Sequence, residues 1–252
     1  MPADLSQVTV LCTAFAGTGG LDRLARSLRT LHPQCKILAS GPAISGAAPA
    51  GVDVVKSAPD ATPGSVRNAL LARVRTPWFA IVSDDMQLHR GATLAELLTP
   101  VAAERLDIAA GELVRCWKKL LVFTGREPTP GHGTFAHDRG ALTLHPGVRT
   151  SGSGYDVCDY GHQFFVARTD KVRAMGGWDH QIVAGGDLEF FVRAERFAVR
   201  IGVCPQVAAW HWGHPAPPSE TVSIEAVNRM SLRQLALPGG RVVTPPPARL
   251  AA

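Results

Sequence analysis

The chain has 252 residues, 46% of them hydrophobic, with 26 Lys and Arg against 21 Asp and Glu. That length suits one α/β domain, or one domain with an appended lobe, and the apolar share can supply a sizeable core. No apolar run approaches the roughly 20 residues of a membrane span. The start, Met1 to Gln7, lacks the basic and apolar regions of a secretory leader, so a cytoplasmic protein is expected.

Val8-Thr-Val-Leu-Cys-Thr13 reads as a first strand, followed by a glycine turn at Ala16–Gly20. Apolar residues at 21, 24, 25, 28 and 31 then describe an amphipathic helix. Lys36–Ser40 and Val52–Lys56 are short strands around a Pro/Gly/Ala-rich loop, and Ser65–Arg75 is a helix whose start carries Pro63 and Gly64. Trp78–Val82 is a buried strand, Thr93–Ala103 a helix and Ile108–Trp117 a strand. From 124 to 162 Gly, Pro, His, Thr and Ser dominate, and a long irregular segment is expected there. Regular structure resumes with a strand at Phe164–Arg168, a helix over 169–175, a turn at Gly176–Asp179 and a helix from about 186 to 197. Val199–Val203 and Val207–Trp210 read as two late strands, and 237–252, with three prolines at 246–248, as a mobile tail. The alternation predicts an α/β fold with a mostly parallel sheet flanked by helices. The expected organisation is one domain over 1–236, with a first half at about 8–90 and a second from about 91.

The strand at 79–82 runs straight into Ser83-Asp84-Asp85. Carboxylates at the carboxyl end of a parallel strand stand where open α/β sheets bind ligands. Two adjacent ones repel each other unless a cation compensates, and a site holding both carboxylates and phosphates suits Mg²⁺ or Mn²⁺. Solvated aspartates at a strand-to-turn junction are the alternative. A second cluster, Gly176-Gly-Trp178 through Gly185-Gly-Asp187-Leu-Glu189, puts two carboxylates at a helix start, where the macrodipole favours them. They read either as helix-capping acids or as a general base for an acceptor hydroxyl. The glycine turn at 16–20 lacks the Gly-x-Gly-x-x-Gly spacing and the Walker lysine, so neither phosphate loop is assigned. Five cysteines without a Cys-x-x-Cys pair argue against a disulfide framework and a zinc ribbon, and Cys12 and Cys204 read as buried thiols.

Together these residues resemble GT-A glycosyltransferases of the family-2-like inverting type, and more narrowly the β-1,4-N-acetylgalactosaminyltransferase group of ganglioside GM2/GD2 synthases. Val8–Val10, Ser65-Val-Arg67-Asn68-Ala69, Ser83–Met86 and the run from Phe164 through Asp187–Phe191 to Cys204 and His211 carry the likeness. It covers roughly 8–90 and 160–212. Ser83 stands where that family has the first aspartate of its metal motif, and Ser40 where an acid often follows the second strand.

The resemblance implies a hexosyl- or N-acetylhexosaminyltransferase taking a nucleoside-diphosphate sugar, UDP-sugar favoured, with Mn²⁺ or Mg²⁺. It implies Asp85 and His211 as metal ligands, with His214 a weaker candidate, and Asp187 as catalytic base. Glu189 and Trp178 would orient substrate, and Thr13, Arg67, Asn68, Ser83 and Asp84 would bind the donor. His211-Trp-Gly-His214 also has the look of a zinc pair, or of histidines packing beside Trp210 and Trp212. The acceptor side carries Arg126, His132, His137, Arg139, His145 and Arg149, which suits an anionic acceptor. A hydroxymethylated base in DNA is one such acceptor, and the net charge of +5 would attract its backbone. A nucleotide- or nucleic-acid-binding module without activity, and a sugar nucleotidyltransferase, are the rival readings.

Overall fold

The computed structural model describes residues 4–15, 19–44, 46–119, 123–129, 131–212 and 222–245. Strand β1 (Val8–Thr13) lies between β2 (Lys36–Ser40) and β4 (Trp78–Ser83), all parallel, with β3 (Val52–Val54) outside β2. All six residues of β1 are buried. A strand covered by helices on both faces must be apolar on both, so these segments read as continuous runs. Beyond β4 the pairing is mixed. β12 (Phe165–Arg168) runs antiparallel between β4 and β6 (Ile108–Lys119), and β13 (Ile201–His211) is parallel to β6. β10 (Thr150–Ser151) and β11 (Asp156–Cys158) complete that edge. β5 (Met86–Gln87) pairs with the end of β13, and β7 (Phe123–Thr129) pairs with β6. The central sheet is thus mixed but mostly parallel.

Helices α1 (Gly20–Leu31) and α3 (Leu94–Ala102) cover one face, burying Leu24, Leu28, Leu97 and Leu98 against Val8, Val10 and Val82. Helices α2 (Pro63–Arg73), α4 (Thr169–Ala174), α5 (Gly186–Arg196) and α6 (Ile224–Arg229) cover the other. There Phe165, Trp178, Phe190 and Phe191 form an aromatic stack, with Trp178 and Phe190 only 4.7 Å apart. Each such side chain contributes about 1.5–3 kcal/mol on burial. α2 starts two residues earlier than its apolar pattern suggests. Thr62 caps it by accepting from the Ser65 N–H at 3.1 Å, and Pro63 fills the first position, where no donor is needed.

Three expectations are corrected here. The segment 124–162 is not irregular: it holds β7, β8 (Gly133–Asp138), β9 (Ala141–Pro146), β10 and β11. β8 and β9 form a hairpin around Arg139 and Gly140, both at positive φ, the two-residue turn whose twist matches paired strands. Nor is the stretch after 236 wholly a tail. β15 (Val242–Val243) pairs with β14 (Gln234–Ala236), which joins β9 in a second, four-stranded sheet. Leu142, Leu144, Leu235 and Val243 bury that sheet in the same core as Phe190 and Trp178. The two late strands expected at 199–203 and 207–210 are one, β13, with a register shift between Cys204 and Ala208 around Pro205 and Gln206.

Candidate functional site

The carboxyl ends of β1 and β4 open onto a cavity of about 320 Å³. Thr13, Ser83 and Asp85 line it from the sheet, Arg67 from α2, Asp187 from α5 and His211 from β13. Of the sequence-expected site residues, these six are brought together.

Asp84 and Asp85 take opposite directions. Asp84 is 1% exposed, and its Oδ1 accepts the Phe15 N–H at 3.1 Å while its own N–H donates to the Thr13 carbonyl at 2.9 Å. It braces the turn between β1 and α1. Gly20 stands so close there that a Cβ would lie 2.6 Å from the Asp84 carbonyl oxygen, so a side chain would push α1 off the sheet. Asp85 faces the cavity, its Oδ2 3.0 Å from His211 Nε2. β5 holds this geometry, since Met86 pairs with His211 and the Trp212 N–H donates to the Asp85 carbonyl at 2.8 Å. Burial pushes the Asp85 carboxyl up, but the hydrogen bond and charge of His211, with the Ser83 hydroxyl, outweigh it and hold it below the ordinary carboxylate value.

Asp85 Oδ1 and His211 Nδ1 are buried without a hydrogen-bond partner. A buried carboxylate oxygen is costly to leave unmatched, and a cation beside it removes that cost. Asp85 Oδ2 and His211 Nε2 already converge, so a divalent ion replacing the shared proton fits this donor pair. Among the described residues no group of three or more His, Cys, Asp and Glu could hold a metal. The protein would therefore supply two ligands and leave the others to water and phosphate oxygens, as Mg²⁺ and Mn²⁺ accept. His214 lies outside the described residues.

Across the cavity, Arg67 Nη1 lies 2.5 Å from Asp187 Oδ1. The arginine side chain is 11% exposed and the aspartate 58%, so a mostly buried cation is balanced from the solvent side. The guanidinium carbon is also 5.8 Å from the Trp178 ring centroid.

The structure places three other residues in the wall of the cavity instead of on its surface. Glu189 is 5% exposed and makes two 2.8 Å contacts to Arg193, one turn later on α5. Trp178 is buried in the aromatic stack and directs its indole N–H at Gln163 Oε1, 3.3 Å away. Asn68 clamps the backbone of Trp178, donating to its carbonyl at 2.7 Å and accepting its N–H at 2.9 Å. Their polar groups are engaged by other protein groups in this arrangement.

His162 and Gln163 line the cavity and were not singled out from sequence. His162 donates from Nε2 to the Thr129 carbonyl at 2.9 Å, which fixes its tautomer, and burial lowers its pKa. Beside it Glu112 Oε1 is 2.7 Å from His132 Nδ1, a close carboxylate contact that raises the His132 pKa. The signal available was the density of histidines in 132–162, without any indication of which ones turn inward. Several expected acceptor-side cations are neutralised: Arg149 pairs with Asp159 at 2.6 Å and His137 with Glu195 at 2.8 Å. Arg126 stacks on Trp210, 4.3 Å from its centroid.

A mixed, mostly parallel sheet ending in this carboxylate-bearing cavity has the GT-A fold of nucleotide-sugar glycosyltransferases. Among solved structures, GalNAc-T7 with UDP, GalNAc and Mn²⁺ superposes with a TM-score of 0.66 over 88% of this chain at 13% identity. TarS of S. aureus, residues 1–349 with UDP-GlcNAc, gives 0.61 over 88% at 14% identity. The same TarS fragment with UDP gives 0.59 over 88% at 12% identity. The match spans 47% of the GalNAc-T7 chain and 64% of the TarS fragment. No protein-family model matches the chain, and no curated protein matches it in sequence. No helix among the described residues is long and apolar enough to cross a membrane.

Proposed function

We propose that the chain is a metal-dependent glycosyltransferase that moves a sugar from a nucleoside-diphosphate sugar, a UDP-sugar by preference, to an acceptor hydroxyl with inversion. The observation that carries this reading is the Asp85–His211 pair, with its unmatched buried oxygen, facing the Arg67–Asp187 pair across one cavity. Mn²⁺ or Mg²⁺ held by Asp85 and His211 would supply Lewis-acid neutralisation of the departing diphosphate. Arg67 offers the diphosphate a second cation from the opposite wall. Asp187, freed from Arg67 as the phosphates engage it, accepts the proton of the acceptor hydroxyl. Ser83 and Thr13 form the cavity floor beneath the donor. The narrower kinship with the GM2/GD2 synthase group is supported by the sequence segments around Arg67, Asp85, Asp187 and His211. A DNA acceptor draws less support, because Arg149 and His137 already have acidic partners. A non-catalytic module leaves the Asp85–His211 pair without a purpose.

The test is thermal stabilisation across a panel of nucleoside diphosphates with and without Mn²⁺, followed by NMR of the product's anomeric configuration. Metal-dependent stabilisation by one diphosphate is expected, with UDP first. Equal stabilisation without metal removes the metal site, and a retained configuration removes Asp187 from the base role.

A further inference from the structure

The hairpin of β6 and β7 continues past the cavity, and its cross-strand register puts a second set of side chains on the cavity's side. Leu113 and Thr129 are register partners and both line the cavity, as does His211, the β13 partner of Arg115. Side chains alternate along a strand, so Leu113, Arg115 and Trp117 share that face, with Glu127 and Gly125 opposite the last two. At about 3.4 Å per residue, Trp117 stands about 14 Å beyond Leu113.

What gathers there has the composition of a ligand platform. The Trp117 indole lies flat over Gly125. A Cβ on that glycine would fall 2.2 Å from the ring's Cε2, so only glycine lets the ring settle on the strand. Trp117 is half-buried, so part of a large planar side chain remains open to solvent. The Arg115 guanidinium lies 5.2 Å from its ring centroid and is ion-paired with Glu127; the two side chains are 39% and 55% exposed. The pair offers both donors and acceptors with no net charge. Among the described side chains of this face the cation, Arg115, is already paired, whereas a polyanion would need cations left free; a hydroxyl-rich neutral ring needs a flat apolar face flanked by donors and acceptors.

We infer that Trp117, Arg115 and Glu127 form an acceptor subsite for a neutral carbohydrate chain, with one sugar ring stacked on Trp117 and the next ones leading into the cavity. This rests on the proposed transferase reading and specifies its acceptor class. The span from Leu113 to Trp117 has room for more than one sugar unit, so oligosaccharides should bind more tightly than monosaccharides.

The test is an array of neutral mono- to hexasaccharides probed with the full chain, followed by fluorescence titration of the best binder. UDP with Mn²⁺ is titrated in parallel as the donor-side control. Trp117→Ala should weaken oligosaccharide binding roughly tenfold, the order expected for losing one aromatic contact face. Trp117→Phe should keep most of the binding, Arg115→Ala should lose several-fold, and UDP binding should be unchanged in all three. Should Trp117→Ala prove unfolded, Arg115→Ala and Trp117→Phe carry the comparison. No neutral glycan bound by the wild type, binding indifferent to Trp117 and Arg115, or capture of peptides or DNA in place of glycans overturns the subsite. Loss of UDP binding in the wild type with glycan binding intact would instead overturn the transferase reading and leave the platform standing.

Discussion

Asp187→Asn should lower turnover while tightening the grip on the leaving diphosphate, a combination that few roles for this residue would produce. In the structure the carboxylate is spent on Arg67, 2.5 Å away, and any phosphate that recruits this guanidinium must first displace it. Asp187 is 58% exposed, so solvent screens the pair and its net worth is about 1 kcal/mol, well short of a fully buried pair. An amide keeps the shape and one hydrogen bond but drops the charge. The apo variant should then melt about 2–4 °C lower, the shift that 1 kcal/mol gives a chain of this size. Binding of UDP with Mn²⁺ should tighten by up to about fivefold, the same energy returned to the ligand. Turnover should fall by about 10²-fold or more, because the amide cannot take the acceptor's proton. Calorimetric titration of UDP beside steady-state kinetics measures both. Weaker diphosphate binding in Asp187→Asn, or turnover preserved, would refute the exchange of Arg67 between carboxylate and phosphate.

Asp85→Ala should abolish metal-dependent stabilisation by UDP while the apo protein stays folded, as a melting curve with and without Mn²⁺ will show; metal dependence that persists removes Asp85 as a ligand. His211→Ala should raise the Mn²⁺ concentration needed for half-maximal activity and be partly rescued by excess metal, whereas a mere packing role would lower the melting temperature and leave the metal titration unmoved. Asn68→Ala should cost about 1–3 kcal/mol, since two part-buried hydrogen bonds to the Trp178 backbone are lost. Unchanged stability with impaired UDP binding would return Asn68 to a donor-binding role. Asp107 is 1% exposed; burial raises its pKa, but paired contacts from Arg200 and the Arg200 N–H override this and depress it. Its stabilisation is therefore intact above the unfolded carboxyl value of about 3.9 and disappears as pH falls through the lower folded value. Asp107→Asn should melt lower at neutral pH and show a shallower acid limb; parallel acid limbs would contradict this.

Legibility in the sequence followed the range of the interactions. β1, β4 and α1 were readable because local pattern and burial agree: a strand buried on both faces must be a run of apolar residues, and a helix packed on it must show a stripe. The 124–162 region failed that test for a physical reason. β8 and β9 bury only Phe135, Leu142 and Leu144 from their side chains longer than alanine, and interleave them with Thr, His and Asp. β9 is also completed by β14, about 90 residues later in the chain. No local window contains that partner. The hairpin turn at Arg139-Gly140 was the one local clue. The division of β13 into two strands came from Pro205 and Gln206, which a bulge accommodates without ending the pairing.

The candidate site shows the same limit at the scale of one helical turn. Asp187 and Glu189 both occupy the first turn of α5, where the helix dipole welcomes either, so composition could not say which one meets the ligand. Residues two apart on a helix point about 200° apart, and only the packing of α5 decides which side faces the cavity. The core fixes that choice: Leu188, Phe190 and Phe191 are buried, and Glu189 is turned with them toward Arg193. Arg193 in turn donates to the Met175 carbonyl at 2.9 Å, just ahead of the Gly176–Trp178 turn. Glu189 thus holds the wall against which Arg67 rests, and Asp187 is left on the open side of the helix. Of the two carboxylates Asp187 is therefore the less encumbered, half-exposed and held by a single cation, which is what the proposed base role requires.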